Sequence, residues 1–106
     1  MPDRRADETP ELRRLRRRID ALDRRIVGLL NERAVLGREV GRAKLAAGRT
    51  AIADRERERE VLLRVTMANA GPLPQADLLA VYRRLIAATK ALEALDRRRE
   101  EADDDG

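Results

Sequence analysis

Residues 12–45 read LRRLRRRIDALDRRIVGLLNERAVLGREVGRAKL, and this stretch decides the fold. Its apolar side chains recur at alternating spacings of three and four residues, which predicts a long amphipathic helix with a single apolar seam. The seam consists of Leu12, Leu15, Ile19, Leu22, Ile26, Leu29, Leu36, Val40 and Ala43.

Capping signals on either side of this stretch set the length of the helix. Thr9 can cap its amino end ahead of Pro10, which suits the first helical position, and Gly48 is a typical stop. A helix of that span is roughly 55 Å long at about 1.5 Å per residue. The rest of the chain is too short to cover so long a seam. The pattern therefore predicts a second copy of the helix and an intertwined homodimer.

Two shorter helices complete the predicted all-α, three-helix protomer, and no segment reads as a strand. After a loop over residues 49–53, Asp54 can cap a second helix over 55–70. The stretch NAGPLP (69–74) breaks the chain, and a third helix runs from Gln75 into the 90s. The inner apolar positions of these two helices are Val61, Leu62, Val65, Ala68, Leu78, Tyr82, Leu85, Ile86, Leu92 and Leu95.

The helical domain is expected to cover residues 9–97. Residues 1–8 (MPDRRADE) are polar and aperiodic, and residues 98–106 (RREEADDDG) form a charged tail, so both are expected to be disordered. No apolar run reaches the length of a membrane span, and the amino terminus lacks a signal-peptide core. These features predict a cytoplasmic protein without a membrane partner.

The composition excludes most catalytic chemistries. The 106 residues include no Cys and no His, so a thiolate nucleophile, the commonest general base and the commonest metal ligand are missing, and no metal is expected. Charged residues make up 42% of the chain, yet the formal net charge is only +4. Only two of the 24 basic residues are lysines, Lys44 and Lys90, which indicates a compositional bias toward arginine. Any chemistry must come from Arg, Lys, carboxylates, hydroxyls and the backbone.

Polar side chains interrupt the apolar pattern at several positions. Arg33 takes a seam position, and Lys44 lies eleven residues further along nearly the same face. Thr89 and Glu93 are one turn apart on the inner stripe of the third helix. Three of these residues also have a purely structural explanation. Arg33 could form an ion pair, Lys44 could compensate the helix dipole, and Thr89 could bond back to its own helix. If these side chains instead converge on one cavity of a helix bundle, they create a binding site for an anion.

Three motifs, in this order, resemble the all-helical (AroQ-type) chorismate mutases over residues 11–97. The first, in 12–45, resembles the family's Leu-Arg-x-x-Ile-Asp-x-Leu-Asp, Leu-Leu-x-x-Arg and Gly-x-x-Lys. The second, in 54–62, resembles Asp-Pro-x-Arg-Glu-x-x-Val-Leu. The third, VYRRLIAATKALE (81–93), resembles Ile-Phe-x-x-Ile-Ile-x-x-Ser-x-x-x-Gln. Their order and near-family spacing carry the resemblance.

The resemblance implies an intertwined dimer with two equivalent sites shared between subunits, each for a dianionic small molecule. Arg16 would reach in from the partner subunit to bind one substrate carboxylate. Arg33 would hold the other carboxylate region, with Arg57 beside it as a further cation. Arg16 and Arg33 are seventeen residues apart on one helix, about 25 Å, which is too far to share a ligand within one chain.

The resemblance also implies how the reacting atoms are held. Lys44 would hydrogen-bond the ether oxygen whose bond breaks, while Asp54 and Glu58 would position the ring hydroxyl. Thr89 stands where the family often has serine. Glu93 replaces a glutamine that donates to the ether oxygen, and it must be protonated to do so because a carboxylate cannot donate. Some members of the family carry glutamate there.

The run DRERERE (54–60) allows two alignments of the second motif. Arg57–Glu58 preserves the three-residue step to Val61, and we prefer it to Arg55–Glu56. Both pairs are also of the kind found as solvated charge on a helix surface.

The implied reaction is the Claisen rearrangement of chorismate to prephenate, an isomerisation in aromatic amino-acid supply. It needs no metal or cofactor, because the enzyme has only to hold the dianion in a compact pose and stabilise charge on the ether oxygen. The same scaffold resembles 4-amino-4-deoxychorismate mutases and isochorismate-pyruvate lyases, and the sequence leaves these alternatives open.

Two non-enzymatic alternatives also fit part of the pattern. A basic helical nucleic-acid binder would use RRLRRR (13–18), but the apolar seam runs through that cluster and stacking aromatics are lacking. We therefore expect no nucleic-acid partner. In a non-catalytic coiled coil, Arg33, Thr89 and Glu93 would be seam defects without purpose.

Overall fold

The computed structural model describes residues 8–48 and 51–104, which are helical apart from short connections and contain no strand. The three helices are α1 (Pro10–Ala47), α2 (Ala51–Ala68) and α3 (Gln75–Asp104). The chain divides into two compact units, Met1–Ala34 and Val35–Gly106, and the boundary falls within α1. Within the described residues, none of the helices is long and apolar enough to cross a membrane. The all-α, three-helix prediction is confirmed for this part of the chain.

The caps of α1 are those predicted from the sequence. The Thr9 hydroxyl oxygen accepts a hydrogen bond from the Leu12 amide at 3.1 Å, and Pro10 is the first helical residue. At the other end, Gly48 has a φ of 64° and its amide donates to the Leu45 carbonyl at 3.3 Å. That left-handed conformation favours glycine and ends the helix.

The apolar seam of α1 lies open in the isolated chain. Ile19, Ile26 and Leu29 each expose half or more of their surface, and so do Leu36 and Val40 in the second unit. None of the residues of α1 is buried. The seam therefore has no cover within the described residues of one chain, as the sequence analysis anticipated.

In the second unit, α2 packs on α3, and most of the predicted inner positions of the two helices are shielded from solvent. Two of these positions, Ala68 and Leu95, are exposed instead, because they lie toward the ends of the packed stripe. The remaining predicted positions are half-buried: Val61, Leu62, Val65, Leu78, Tyr82, Leu85, Ile86 and Leu92.

The predicted break between α2 and α3 is a hydrogen-bonded turn organised by Asn69. Its side-chain nitrogen donates to the Leu73 carbonyl at 3.1 Å and to the Gln75 side chain at 3.0 Å, and its side-chain oxygen accepts from the Gly71 amide. Gly71 has a φ of 79°, a conformation that favours glycine. Asn69 and Gly71 therefore supply the side-chain hydrogen bonds and the backbone conformation that this turn requires.

Helix boundaries differ from the prediction at three places. α2 begins at Ala51, so Asp54 lies in its first turn instead of capping it; alanine favours this earlier start, and an acidic side chain there still complements the helix dipole. α2 ends at Ala68, short of residue 70. α3 continues to Asp104, so the expected disorder of residues 98–104 is wrong; Arg, Glu and Ala are good helix formers.

The remaining predictions about the ends and the loop fall on 1–7, 49–50 and 105–106, which lie outside the described residues.

Candidate active site

A cleft of about 300 Å³ lies within the second unit, between the end of α1, the first turn of α2, and α3. Five basic and four acidic side chains dominate its lining, so it suits a small, highly polar ligand better than an apolar one. Its lining residues are Arg38, Gly41, Arg42, Lys44, Leu45, Gly48, Asp54, Lys90, Glu93, Asp96, Arg97 and Glu100.

Lys44 lines this cleft and contacts two carboxylates. Its ammonium nitrogen lies 3.2 Å from Asp54 Oδ1 and 3.2 Å from Glu93 Oε2, so α1, α2 and α3 each contribute one charged group. Partial burial lowers the pKa of Lys44, but the hydrogen bonds to Glu93 and Asp54 and the charges of these two carboxylates together outweigh it, and the net pKa is raised. Lys44 therefore remains an ammonium. Three of the predicted site residues thus meet at one place.

A second ion pair crosses the same cleft from α1 to α3. Arg38 donates to both carboxylate oxygens of Asp96, with its Nε and Nη2 each at 2.8 Å. Hydrogen bonding from Arg38 lowers the pKa of Asp96 against a smaller opposing effect of burial, and the charges of Arg42 and Arg99 add to the lowering. The same bond raises the pKa of Arg38.

Two glycines let α3 approach α1 closely beside the cleft. A Cβ on Gly41 would lie 2.8 Å from Glu93 Cγ, and a Cβ on Gly37 would collide with the methyl group of Thr89. Gly37 and Gly41 are four residues apart on α1, and so are Thr89 and Glu93 on α3. One face of α3 therefore packs against the two glycines of α1. This contact was not predicted from the sequence, although the four-residue spacing of the two glycines in GREVG (37–41) was a usable signal.

Lys90 is a cleft residue that the sequence analysis did not select. Its ammonium pairs with Glu58 Oε1, an oxygen that is closed off from solvent. Lys90 lines the cleft, whereas the predicted site residue Glu58 does not. The usable signal was compositional, because Lys44 and Lys90 are the only lysines of the chain.

The run DRERERE turns one face toward the rest of the second unit. Asp54 and Glu58 are half-buried, whereas Glu56 and Arg57 are exposed. This geometry agrees with Glu58, rather than Glu56, as the inward carboxylate. However, Arg57 lies on the flank of α2 and donates to Glu60 at 3.1 Å, so the structure does not bring it to the cleft.

Thr89 is half-buried, and its hydroxyl donates to the Leu85 carbonyl at 3.0 Å. This is the bond back to its own helix that the sequence analysis weighed as the structural explanation. The side chain does not line the cleft, but its methyl group packs at Gly37.

Arg16 and Arg33 belong to the first unit. Arg16 is exposed and pairs with Glu8, whereas Arg33 is half-buried. They lie about 25 Å apart along α1, so one chain does not bring them together. Among residues 8–48 and 51–104, no group of three or more Asp or Glu side chains is arranged to hold a metal ion.

Comparison with known proteins gives a consistent set of relatives. The family model for chorismate mutase type II matches residues 15–94. A bifunctional chorismate mutase/prephenate dehydratase of Aquifex aeolicus is 40% identical over 87 residues, which are 78% of this chain and 24% of that protein. A protein of the same description from Stutzerimonas stutzeri is 39% identical over 90 residues, covering 81% and 25%. The chain thus spans about a quarter of the length of these curated relatives.

A solved structure agrees with the sequence matches. Chorismate mutase (Form II) from Thermus thermophilus superposes with a TM-score of 0.70 at 30% identity, covering 79% of this chain and 94% of that one. The resemblance seen in the sequence motifs is therefore confirmed. On the sequence and the fold together, this chain belongs to the chorismate mutase type II family.

Proposed function

We propose that this chain is an isomerase that rearranges chorismate to prephenate. The observation that carries the proposal is Lys44, an ammonium held 3.2 Å from each of two carboxylates in a charged cleft. Family membership supports the same reaction.

The reaction is a concerted rearrangement within one molecule: the carbon–oxygen bond of the ether breaks while a carbon–carbon bond forms. No atom is gained or lost, so the protein has to supply only pose and charge stabilisation. Lys44 would donate to the ether oxygen as negative charge builds there, and its raised pKa keeps the donor charged. Glu93, which contacts Lys44 at 3.2 Å, would donate to the same oxygen when protonated.

We propose Arg33 and the partner subunit's Arg16 as the ligands of the substrate carboxylates, because guanidinium forks match carboxylates with two parallel bonds. Asp54 would help to orient the ring substituent. Arg57 would have to leave Glu60 to reach a ligand, which weakens the case for its direct contact.

We further propose that the site is completed in an intertwined homodimer. The open seam of α1, with Leu29 60% and Leu36 61% exposed, supports a second copy as its cover. Sedimentation of the purified chain should therefore give a dimer, and replacing Ile26 on the seam by glutamate should dissociate it. A monomeric wild type would refute this part of the proposal. The cytoplasmic location stays a prediction from the sequence.

The proposed activity is tested by incubating the purified protein with chorismate and, separately, with 4-amino-4-deoxychorismate, following the products by NMR. Prephenate should form from chorismate, and Lys44→Met should abolish its formation while the far-UV circular dichroism stays helical. Arg14→Gln is the matched control, because Arg14 is exposed and contacts Glu11 at 3.9 Å on the surface of α1. Absence of prephenate with a folded wild-type dimer would refute the proposal.

A further inference from the structure

The two lysines of this chain occupy the same cleft. All other basic residues are arginines, yet both Lys44 and Lys90 line this one pocket. Lysine offers a compact ammonium on a flexible stem, whereas arginine offers a wide planar fork. In a composition so strongly biased toward arginine, two lysines at one site point to a demand for point charges there.

Each of these ammonium groups neutralises a carboxylate of α2. Lys44 pairs with Asp54, and Lys90 pairs with Glu58, one turn further along the helix. These are the two carboxylates that the family resemblance assigns to the ring substituent. Glu58 Oε1 is closed off from solvent. In the Lys90–Glu58 pair, it is Lys90 that lines the cleft. A ligand at this wall therefore meets an ammonium where the sequence alone predicted a carboxylate.

This arrangement has opposite consequences for two kinds of ring substituent. A neutral hydroxyl can hydrogen-bond beside paired charges, but a ring ammonium would be left without a free carboxylate on α2 and would be repelled by Lys90. Glu93 is paired with Lys44, so it offers a ring ammonium no free carboxylate either. Glu100 lies seven residues beyond Glu93 on α3, about 10 Å further along the helix.

We propose that Lys90 is a specificity-determining residue, which makes the cleft select a ring hydroxyl over a ring ammonium. The inference rests on the proposed function, because it assumes that a chorismate-type dianion occupies this cleft. It extends that function by assigning a discriminating role to a residue that stands at an unspecified position of the third motif, directly after Thr89.

The test compares kcat/KM for chorismate and for 4-amino-4-deoxychorismate in the wild type and two variants. Lys90→Met removes the charge but keeps most of the length, and it should lower the preference for chorismate about tenfold, because a half-exposed ammonium is partly screened by solvent. Lys90→Arg keeps the charge and should restore most of the preference. If Lys90→Met does not fold, Lys90→Gln serves in its place.

Arg83→Met is the matched control. It removes the same charge from an exposed position on α3 outside the cleft lining, and it should leave the preference unchanged. An unchanged preference in Lys90→Met, or a wild type that prefers the amino compound, would overturn the inference. If the wild type turns over neither compound, the proposed function fails; the ratio of the two equilibrium dissociation constants, measured in the same variants, still decides the role of Lys90.

Discussion

Replacing Gly41 by alanine tests whether the close approach of α1 and α3 sets the geometry of the reacting groups. The new Cβ would lie 2.8 Å from Glu93 Cγ and 3.1 Å from Glu93 Cδ. Carbon atoms in contact prefer about 3.5–4.0 Å, so the glutamate side chain has to retreat by about 1 Å. Its carboxylate is 3.2 Å from Lys44 Nζ, already near the limit of a good hydrogen bond, and the shift would break that contact.

Stability and activity should respond differently to this change. Alanine favours a helix interior over glycine by about 1 kcal/mol, while overpacking costs about 1–3 kcal/mol. The clash meets the middle of a flexible side chain and no backbone, so the lower end of that cost applies and the net effect on the free energy of unfolding should be small. In contrast, a displacement of about 1 Å at a reacting group is sufficient for a loss in kcat/KM of about 100-fold.

The measurement pairs thermal unfolding by circular dichroism with kcat/KM for prephenate formation. Gly28→Ala is the matched control, because nothing lies within 4 Å of its added Cβ, and it should gain about 1 kcal/mol in stability with unchanged turnover. Gly41→Ala with more than half of the wild-type kcat/KM would refute the reasoning. A loss of kcat/KM that is fully explained by the unfolded fraction of the variant would refute the reasoning as well.

Three further substitutions each have a predicted effect on turnover or on thermal stability. Arg33→Ala should abolish turnover without loss of helical circular dichroism, if Arg33 holds a substrate carboxylate. Asp96→Asn should lower Tm near neutral pH, because the lowered pKa of Asp96 stabilises the fold above about pH 4, its unfolded value; the difference from wild type should vanish as pH falls through the folded pKa. Glu93→Gln should keep or raise kcat for prephenate formation, because a glutamine amide donates a hydrogen bond to the ether oxygen and a carboxylate does not; loss of turnover in this variant would contradict that role.

The fold was largely predictable because its determinants are local. The Thr9 cap, the Gly48 stop and the turn at Asn69 are short-range features whose geometry follows from residue type. The boundaries at Ala51 and Asp104 were less predictable. There, helix propensity competes with polar composition, and composition alone favoured a loop and a frayed tail.

The candidate site was predictable only in part, because side-chain pairing depends on contacts between helices. Lys44, Asp54 and Glu93 were found because each departs from an apolar stripe or matches a motif, and the structure brings them together. Arg38 and Asp96 were missed. They are 58 residues apart in a chain full of charges, and no local pattern distinguishes a bidentate pair from solvated surface.

The pairing of Lys44 also bears on how a dianion would enter the cleft. The Lys44 side chain is only 23% exposed, so its ammonium would be costly to leave unpaired, and Asp54 and Glu93 compensate it in the free protein. The ammonium has three donors, so an incoming ether oxygen can accept the third bond beside the two carboxylates. A carboxylate is the stronger acceptor in the ground state, but the ether oxygen gains negative charge as its bond breaks. The bond from Lys44 to the ether oxygen thus strengthens in the transition state, so a defect at Lys44 should appear mainly in kcat and less in KM.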